Sequence, residues 1–91
     1  MSDTGGTYAL QPRARFRKVG EDGVVIAMDR DEVVVVNELG AFILSQLQSP
    51  TALERIADAV CAEFSVAPSV ATDDCRDYLE SLIDRGIVQQ A

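Results

Sequence analysis

Glu32-Val33-Val34-Val35-Val36-Asn37-Glu38-Leu39-Gly40 is the stretch that decides the fold. Its first half reads as a strand, because a run of β-branched residues suits a pleated surface. A strand apolar on both faces needs cover on both. A chain of 91 residues supplies good cover on only one. After Val36 the period changes. Asn37 is a good N-cap and Glu38 suits the positive end of a helix dipole. Leu39, Phe42, Ile43 and Leu47 then fall on one helical stripe. A strand with an uncovered side that runs straight into a capped helix points to binding rather than catalysis.

Upstream, Arg13 to Val19 alternates charged and apolar residues. Arg13, Arg15 and Arg17 take one side and Ala14 and Phe16 the other, the pattern of a half-buried strand. Asp22-Gly23 carries a hairpin-turn signal. The second strand is Val24 to Met28, the loop Asp29-Arg30-Asp31 turns the chain, and Glu32 to Val36 is the third strand. Met1 to Pro12 is polar and Gly-rich and reads as a flexible N-terminal tail, which leaves residues 13–91 as the folded domain.

Downstream, Ser49-Pro50 ends the first helix. Thr51-Ala52-Leu53-Glu54 has the form of a capping box opening a second, with Leu53, Ile56, Ala57, Val60 and Phe64 on its stripe. Pro68 fits the first turn of a third helix. That helix runs to about Arg85, with Val70, Cys75, Tyr78, Leu79, Leu82 and Ile83 on its apolar side. Gly86 is a C-terminal stop, after which Ile87-Val88 docks as a short extended tail. The order predicts an α+β domain, a three-stranded antiparallel meander followed by three helices. The third strand of such a meander is an edge. An apolar open edge is a hazard in a free monomer and the usual device for capturing a peptide by strand addition.

Composition narrows the function classes. Chains of this length bury roughly 60–65% of the surface they expose when unfolded, so a deep, water-excluded active site is hard to build. The chain has no histidine, the commonest general base and metal ligand. Cys61 and Cys75 fit no metal spacing. Both lie within helical patterns and read as small buried hydrophobes in a reducing cytosol, with a disulfide or a reactive thiol as the alternative. Asp29-Arg30-Asp31 resembles the start of an EF-hand loop, but Val33 stands where the third oxygen ligand belongs. No nucleophile–base pair is present. Neither a cofactor nor a metal is expected.

The net charge is −7. Residues 1–20 carry Arg13, Arg15, Arg17 and Lys18 against Asp3, while the remainder is strongly acidic. An acidic body argues against nucleic acid as a partner and suits a basic or mixed-charge one. No apolar run reaches membrane-spanning length, and Met1 to Pro12 has no apolar signal core. A cytoplasmic protein away from membranes is the expectation.

The segment Glu32 to Leu44 resembles the strand-to-helix signature of PqqD-like proteins, in which an apolar strand ends in Leu-Asn-Glu-x-Gly-x-x-Ile/Leu. Val36 stands in the leucine position, and Asn37, Glu38, Gly40 and Ile43 or Leu44 fit. Thr51, Glu54, Ile56 and Ala57 are similar to the family's second-helix opening. Asp74-Cys75, Tyr78-Leu79, Leu82 and Gly86-Ile87 are similar to its ending. The likeness covers about residues 14–89. Two departures are Ala67, where Asp or Ser often precedes the proline, and Cys75 in place of a branched apolar residue.

The resemblance implies a winged-helix-like fold and a role as a recognition element for ribosomally made, post-translationally modified peptides. Such a module holds the leader segment of a precursor peptide. It presents the rest to a modifying enzyme, such as a radical S-adenosylmethionine enzyme or a leader peptidase and cyclase. The leader is implied to add to the third strand, at Glu32, Val33, Val34, Val35 and Val36, and to lie against the third helix. Candidate groove-wall residues there are Asp74, Cys75, Tyr78, Leu79, Leu82 and Arg85. Tyr78 offers a ring and a hydroxyl, and Asp73, Asp77 and Asp84 a charge for basic leader residues. Along the strand, Val34 and Val36 are expected to face the core and Val33 and Val35 the opposite side. Two rival readings are a winged-helix nucleic-acid binder, opposed by two arginines and five acids between Ser69 and Arg85, and a scaffold that homodimerises through the valine edge.

Overall fold

The computed structural model describes residues 6–28 and 31–90. It contains strands β1 (Thr7–Leu10), β2 (Ala14–Val19), β3 (Asp22–Ala27) and β4 (Glu32–Val36), helix α1 (Glu38–Ser45) and a 3-10 turn at Gln46–Gln48. Strand β5 (Thr51–Ala52), helices α2 (Leu53–Phe64) and α3 (Pro68–Asp84) and strand β6 (Val88–Gln90) follow. The expected meander is β2-β3-β4, antiparallel throughout. The three helices follow it in the expected order.

The hairpin between β2 and β3 differs from its sequence signal. Val19 pairs with Asp22, so the two-residue turn is Gly20-Glu21, with Gly20 at φ 62°. A positive φ suits the primed turns of short hairpins. Asp22-Gly23 instead opens β3. Gly23 faces inward, where a Cβ would lie 2.6 Å from Phe16 Cε1. It is a glycine for packing space, not for a turn. Of the loop Asp29-Arg30-Asp31, only Asp31 is among the described residues.

The helices cover one face of the meander. Gly23, Val25, Ala27 and Val36 are buried on that face, with Phe16 and Val34 packed at its margin. α1 lies directly on the sheet and is in turn backed by α2, so Gly40, Ala41, Ile43 and Leu44 are all buried. Leu39 and Phe42, expected on the core stripe, are only half-buried. A short helix with neighbours on two sides buries more than one stripe, which displaces these two to its flanks. Phe42 meets Phe64 of α2 edge-on, with ring centroids 5.5 Å apart.

The N-terminal segment corrects the expectation of a loose tail running to Pro12. Thr7–Leu10 pairs with both β5 and β6 to form a second small sheet, ordered β5-β1-β6. Tyr8 is buried in the common core. Strands this short and non-local leave no periodicity in sequence. The same sheet displaces the capping box at Thr51. Thr51 lies in β5, its hydroxyl donating to the carbonyls of Gln46 and Ser49. The N-cap of α2 is Ala52, without a side-chain cap. The Leu53 N–H donates to the Gly6 carbonyl instead. Pro68 opens α3 as expected, behind Ala67, which offers no capping side chain. Gly86, at φ 76°, ends it and turns the chain into β6.

Candidate functional site: the open edge of β4 and the flank of α3

β4 pairs with β3 alone among the described strands, so its other side is an open edge. The register fixes which backbone groups point there. In antiparallel pairs both polar groups of a residue point the same way, and successive residues alternate. The two-residue hairpin closes at Val19 and Asp22, so Val24 and Ile26 aim their backbone groups at β2. The Met28 N–H donating to the Arg13 carbonyl continues that alternation. Gly23, Val25 and Ala27 therefore bond toward β4, and their partners Val36, Val34 and Glu32 bond back. The N–H and C=O groups of Val33 and Val35 are left facing the open edge.

Side chains alternate in the expected sense. Val36 is buried and Val34 half-buried on the helix side, whereas Val33 and Val35 are 62% and 76% exposed on the outer face. Glu32, half-buried, starts the strand opposite Ala27. All the large exposed side chains of this strand belong to the two residues whose backbone is unpaired.

Beside the end of β4, the start of α1 and one flank of α3 enclose an open cavity of about 360 Å³. Asn37 and Leu39 line it from one side, and Asp74, Asp77, Tyr78 and Ser81 from the other. On α3 these positions follow helical spacing, adjacent to the buried stripe Ala71, Cys75, Leu79 and Leu82. Asn37 is the hinge of the arrangement. Its Oδ1 accepts the Gly40 N–H at 2.9 Å, the N-cap bond foreseen in the sequence, and also accepts from the Tyr78 hydroxyl at 3.2 Å. A Cβ on Gly40 would overlap the phenol oxygen, so this glycine admits Tyr78. Burial raises the Tyr78 phenol above its ordinary pKa, and a backbone hydrogen bond from Asn37 and the charge of Arg85 pull it back in part. The phenol thus remains a protonated donor at neutral pH.

The third-helix residues divide in two. Asp74 is exposed and Tyr78 half-exposed on the cavity wall. Cys75, Leu79 and Leu82 are buried in the hydrophobic core. Their placement on the groove wall is corrected: they support the wall from beneath and present no surface to a ligand. Arg85 is the exposed C-cap residue of α3, beyond the cavity lining. Of the acids named for charge alone, Asp77 reaches the cavity, while Asp73 pairs with Arg76 at 3.5 Å. Asn37, Leu39 and Ser81 were not foreseen as site residues. Asn37 and Leu39 were legible only as cap and core, because their second role depends on how α3 crosses α1.

The arrangement offers hydrogen bonding, acidic charge and an aromatic ring. Burial, with Asp74 and Cys61 adding to it, pushes the Cys75 thiol up to about 11, far from a reactive thiolate. No group of side chains suited to a metal occurs among the described residues. No helix among them is long and apolar enough to cross a membrane.

Solved structures share this fold at low sequence identity. TbiB1 in complex with the TbiA(beta) leader peptide is 23% identical, with a TM-score of 0.83 over 89% of this chain and 94% of that one. The PqqD truncation of Methylobacterium extorquens PqqCD, a functional and stand-alone RiPP recognition element, is 14% identical, with a TM-score of 0.77 over 92% and 89%. Lasso peptide synthetase B1 complexed with the leader peptide is 20% identical, with a TM-score of 0.75 over 90% and 96%. No curated protein sequence matches significantly. The family profile of Coenzyme PQQ synthesis protein D matches residues 22–88, from the first residue of β3 to the first of β6, and the chain belongs to the PqqD family.

Proposed function

We propose that this chain is a non-catalytic recognition module that captures the leader of a ribosomally made precursor peptide and presents it to a modifying enzyme. One observation carries the reading: the backbone groups of Val33 and Val35 face an open edge, and the residue that follows this strand, Asn37, lines the cavity together with Tyr78. A leader segment adding there as a strand gains main-chain hydrogen bonds from β4 and side-chain contacts from the flank of α3. Asp74 and Asp77 favour basic leader residues. Two structures of the same fold are leader-peptide complexes, which supports this occupant for the edge. The expected dissociation constant is on the order of nanomolar to micromolar, about −8 to −12 kcal/mol. The enzyme served is of the radical S-adenosylmethionine type or a leader peptidase and cyclase. Ribosomal synthesis of the precursor places the encounter in the cytoplasm.

The test is a titration of isotopically labelled protein with the leader of a precursor encoded beside its gene, following backbone amides. Shifts concentrated at Val33, Val35, Asn37 and the Asp74–Ser81 flank are expected. Unperturbed β4 amides at saturation overturn strand addition. Dimerisation through the same edge is the competing use of β4. Sedimentation velocity separates the two, since a leader then has to dissociate a dimer in order to bind.

A further inference from the structure

We propose that the outer face of the β2-β3-β4 sheet is a second docking surface, formed by a row of arginines beside a row of uncovered aliphatic side chains. Its occupant is a folded protein whose own surface pairs an apolar patch with a border of carboxylates. Leader capture supplies the identity of that partner, the modifying enzyme, and the inference rests on that reading to this extent.

The register assembles the face. Arg15 lies beside Ile26 and Ile26 beside Val33; one step along, Arg17 lies beside Val24 and Val24 beside Val35. Each row across the sheet therefore runs from a guanidinium through an aliphatic residue to an exposed valine. Ile26 is 45% and Met28 57% exposed. Met28 sits with Arg13 and Arg15 around a shallow depression at the end of the sheet. α1 packs on the opposite face, backed by α2. One half of the outer face is apolar and the other cationic, with Arg15 and Arg17 along β2 and Arg13 just before it.

Charge complementarity selects the partner. Residues 1–20 are net positive, while the rest of the chain is strongly acidic. This strand is thus a basic island on an acidic protein, and Arg13, Arg15 and Arg17 form no ion pair among the described residues. An acidic border on the partner satisfies them, and the aliphatic half supplies the desolvated centre that a stable interface needs.

Geometry separates this face from the leader site. A strand added at the edge of β4 extends the sheet sideways and leaves its outer face open. Val33 and Val35 stay uncovered, and the added strand contributes its own outward side chains to the same surface. A module that presents a bound peptide has to hold peptide and enzyme at once. The outer face is the apolar surface that remains available while the edge and cavity are occupied.

The test uses the full chain, the leader peptide and the purified modifying enzyme encoded beside the precursor. Arg15→Glu/Arg17→Glu and, separately, Ile26→Thr are compared with Arg15→Lys/Arg17→Lys. Affinity for the enzyme is expected to fall about tenfold or more in the charge-reversed protein and to be kept with lysines. Wild-type affinity is expected to fall with added salt. Leader affinity is expected to stay unchanged in every variant, which also shows that each is folded. Unchanged enzyme affinity in both Arg15→Glu/Arg17→Glu and Ile26→Thr overturns the proposal. So does a wild-type dimer that those substitutions dissolve, since the face then serves a second copy. Failure of leader capture reads differently: wild-type β4 amides do not respond to the leader, whatever the enzyme does.

Discussion

The Tyr78 hydroxyl lies 3.2 Å from Asn37 Oδ1, so the side chain that caps α1 is also held by α3. Gly40 lies directly beneath the phenol, and a Cβ there would overlap its oxygen. Asn37, Gly40 and Tyr78 therefore act as one unit that sets the distance between the end of β4 and the flank of α3. Alanine for glycine within a helix ordinarily stabilises by about 1 kcal/mol. Here Gly40→Ala is expected to destabilise by about 1–3 kcal/mol, because the ring has to move. In a Tyr78→Ala background the same substitution is expected to be neutral or stabilising. Urea melts of the four proteins give the coupling, and additivity would falsify the contact.

The N-terminal strand makes a second prediction. Tyr8 is buried between the small sheet and the core, so Tyr8→Ala is expected to cost roughly 3 kcal/mol or more, as for other buried aromatic residues. For a domain of marginal stability this is a large share of the total. Removing residues 1–12 is expected to do at least as much, since β5 and β6 both lose their partner. A melting temperature unchanged by the truncation would show that β1 is dispensable.

What the sequence revealed tracks how local the determining physics is. The meander, the Asn37 cap, the Pro68 start and the Gly86 stop all depend on neighbouring residues, and all were legible. The alternation of Val33 to Val36 was legible too, because a strand has a period of two. β1 was not, since its pairing joins residue 8 to residues 51 and 90 and short strands carry no pattern. On α3, spacing located the amphipathic helix but not the boundary between core and wall. Cys75, Leu79 and Leu82 lie about one residue position around the helix from Asp74, Tyr78 and Ser81. Only the crossing of α3 against α2 decides which stripe faces inward.

Cys75 carries the pH prediction. Its thiol pKa rises in the folded state from 9.0 to about 11, chiefly through burial. The unfolded chain ionises this thiol first. The group's contribution is fully present below about pH 9 and is lost as pH rises through about 11, a change on the order of 2 kcal/mol. Guanidinium melts of wild type and Cys75→Ala between pH 8 and 11 isolate it from other titrating groups: the wild type is expected to lose more stability than the variant. Parallel slopes would sink the assignment. Alkylation of the native protein is expected to reach Cys61, only half-buried, before Cys75.

The acidic wall predicts a salt-sensitive share of affinity. Asp74 and Asp77 line the cavity from the solvent side, so each contributes at the scale of exposed ion pairs, about 0.2–1 kcal/mol. Asp74→Asn/Asp77→Asn is expected to weaken binding of a leader with basic residues several-fold at low ionic strength. The difference is expected to shrink as salt is raised. Calorimetric titration at two salt concentrations checks it. A loss that persists at high salt would mean that these residues act through specific geometry rather than charge.

The alternation of backbone groups along β4 makes the sharpest demand on the strand-addition reading. Val35 aims its N–H at the open edge, whereas Val34 aims its N–H at β3. Proline removes that donor in either place, with opposite consequences. At an edge position facing solvent it is tolerated by the sheet, so Val35→Pro is expected to keep most helix content and cooperative unfolding while leader binding is abolished. Val34→Pro deletes a ladder bond and forces a ring toward the core, so it is expected to destabilise by about 3 kcal/mol or more. Circular dichroism and denaturant melts sort the two variants by stability, and titration with the leader sorts them by binding. If Val35→Pro binds like the wild type, the leader does not pair with this edge. If Val35→Pro unfolds and Val34→Pro does not, the register of β4 is displaced by one residue, and the inward and outward valines exchange faces.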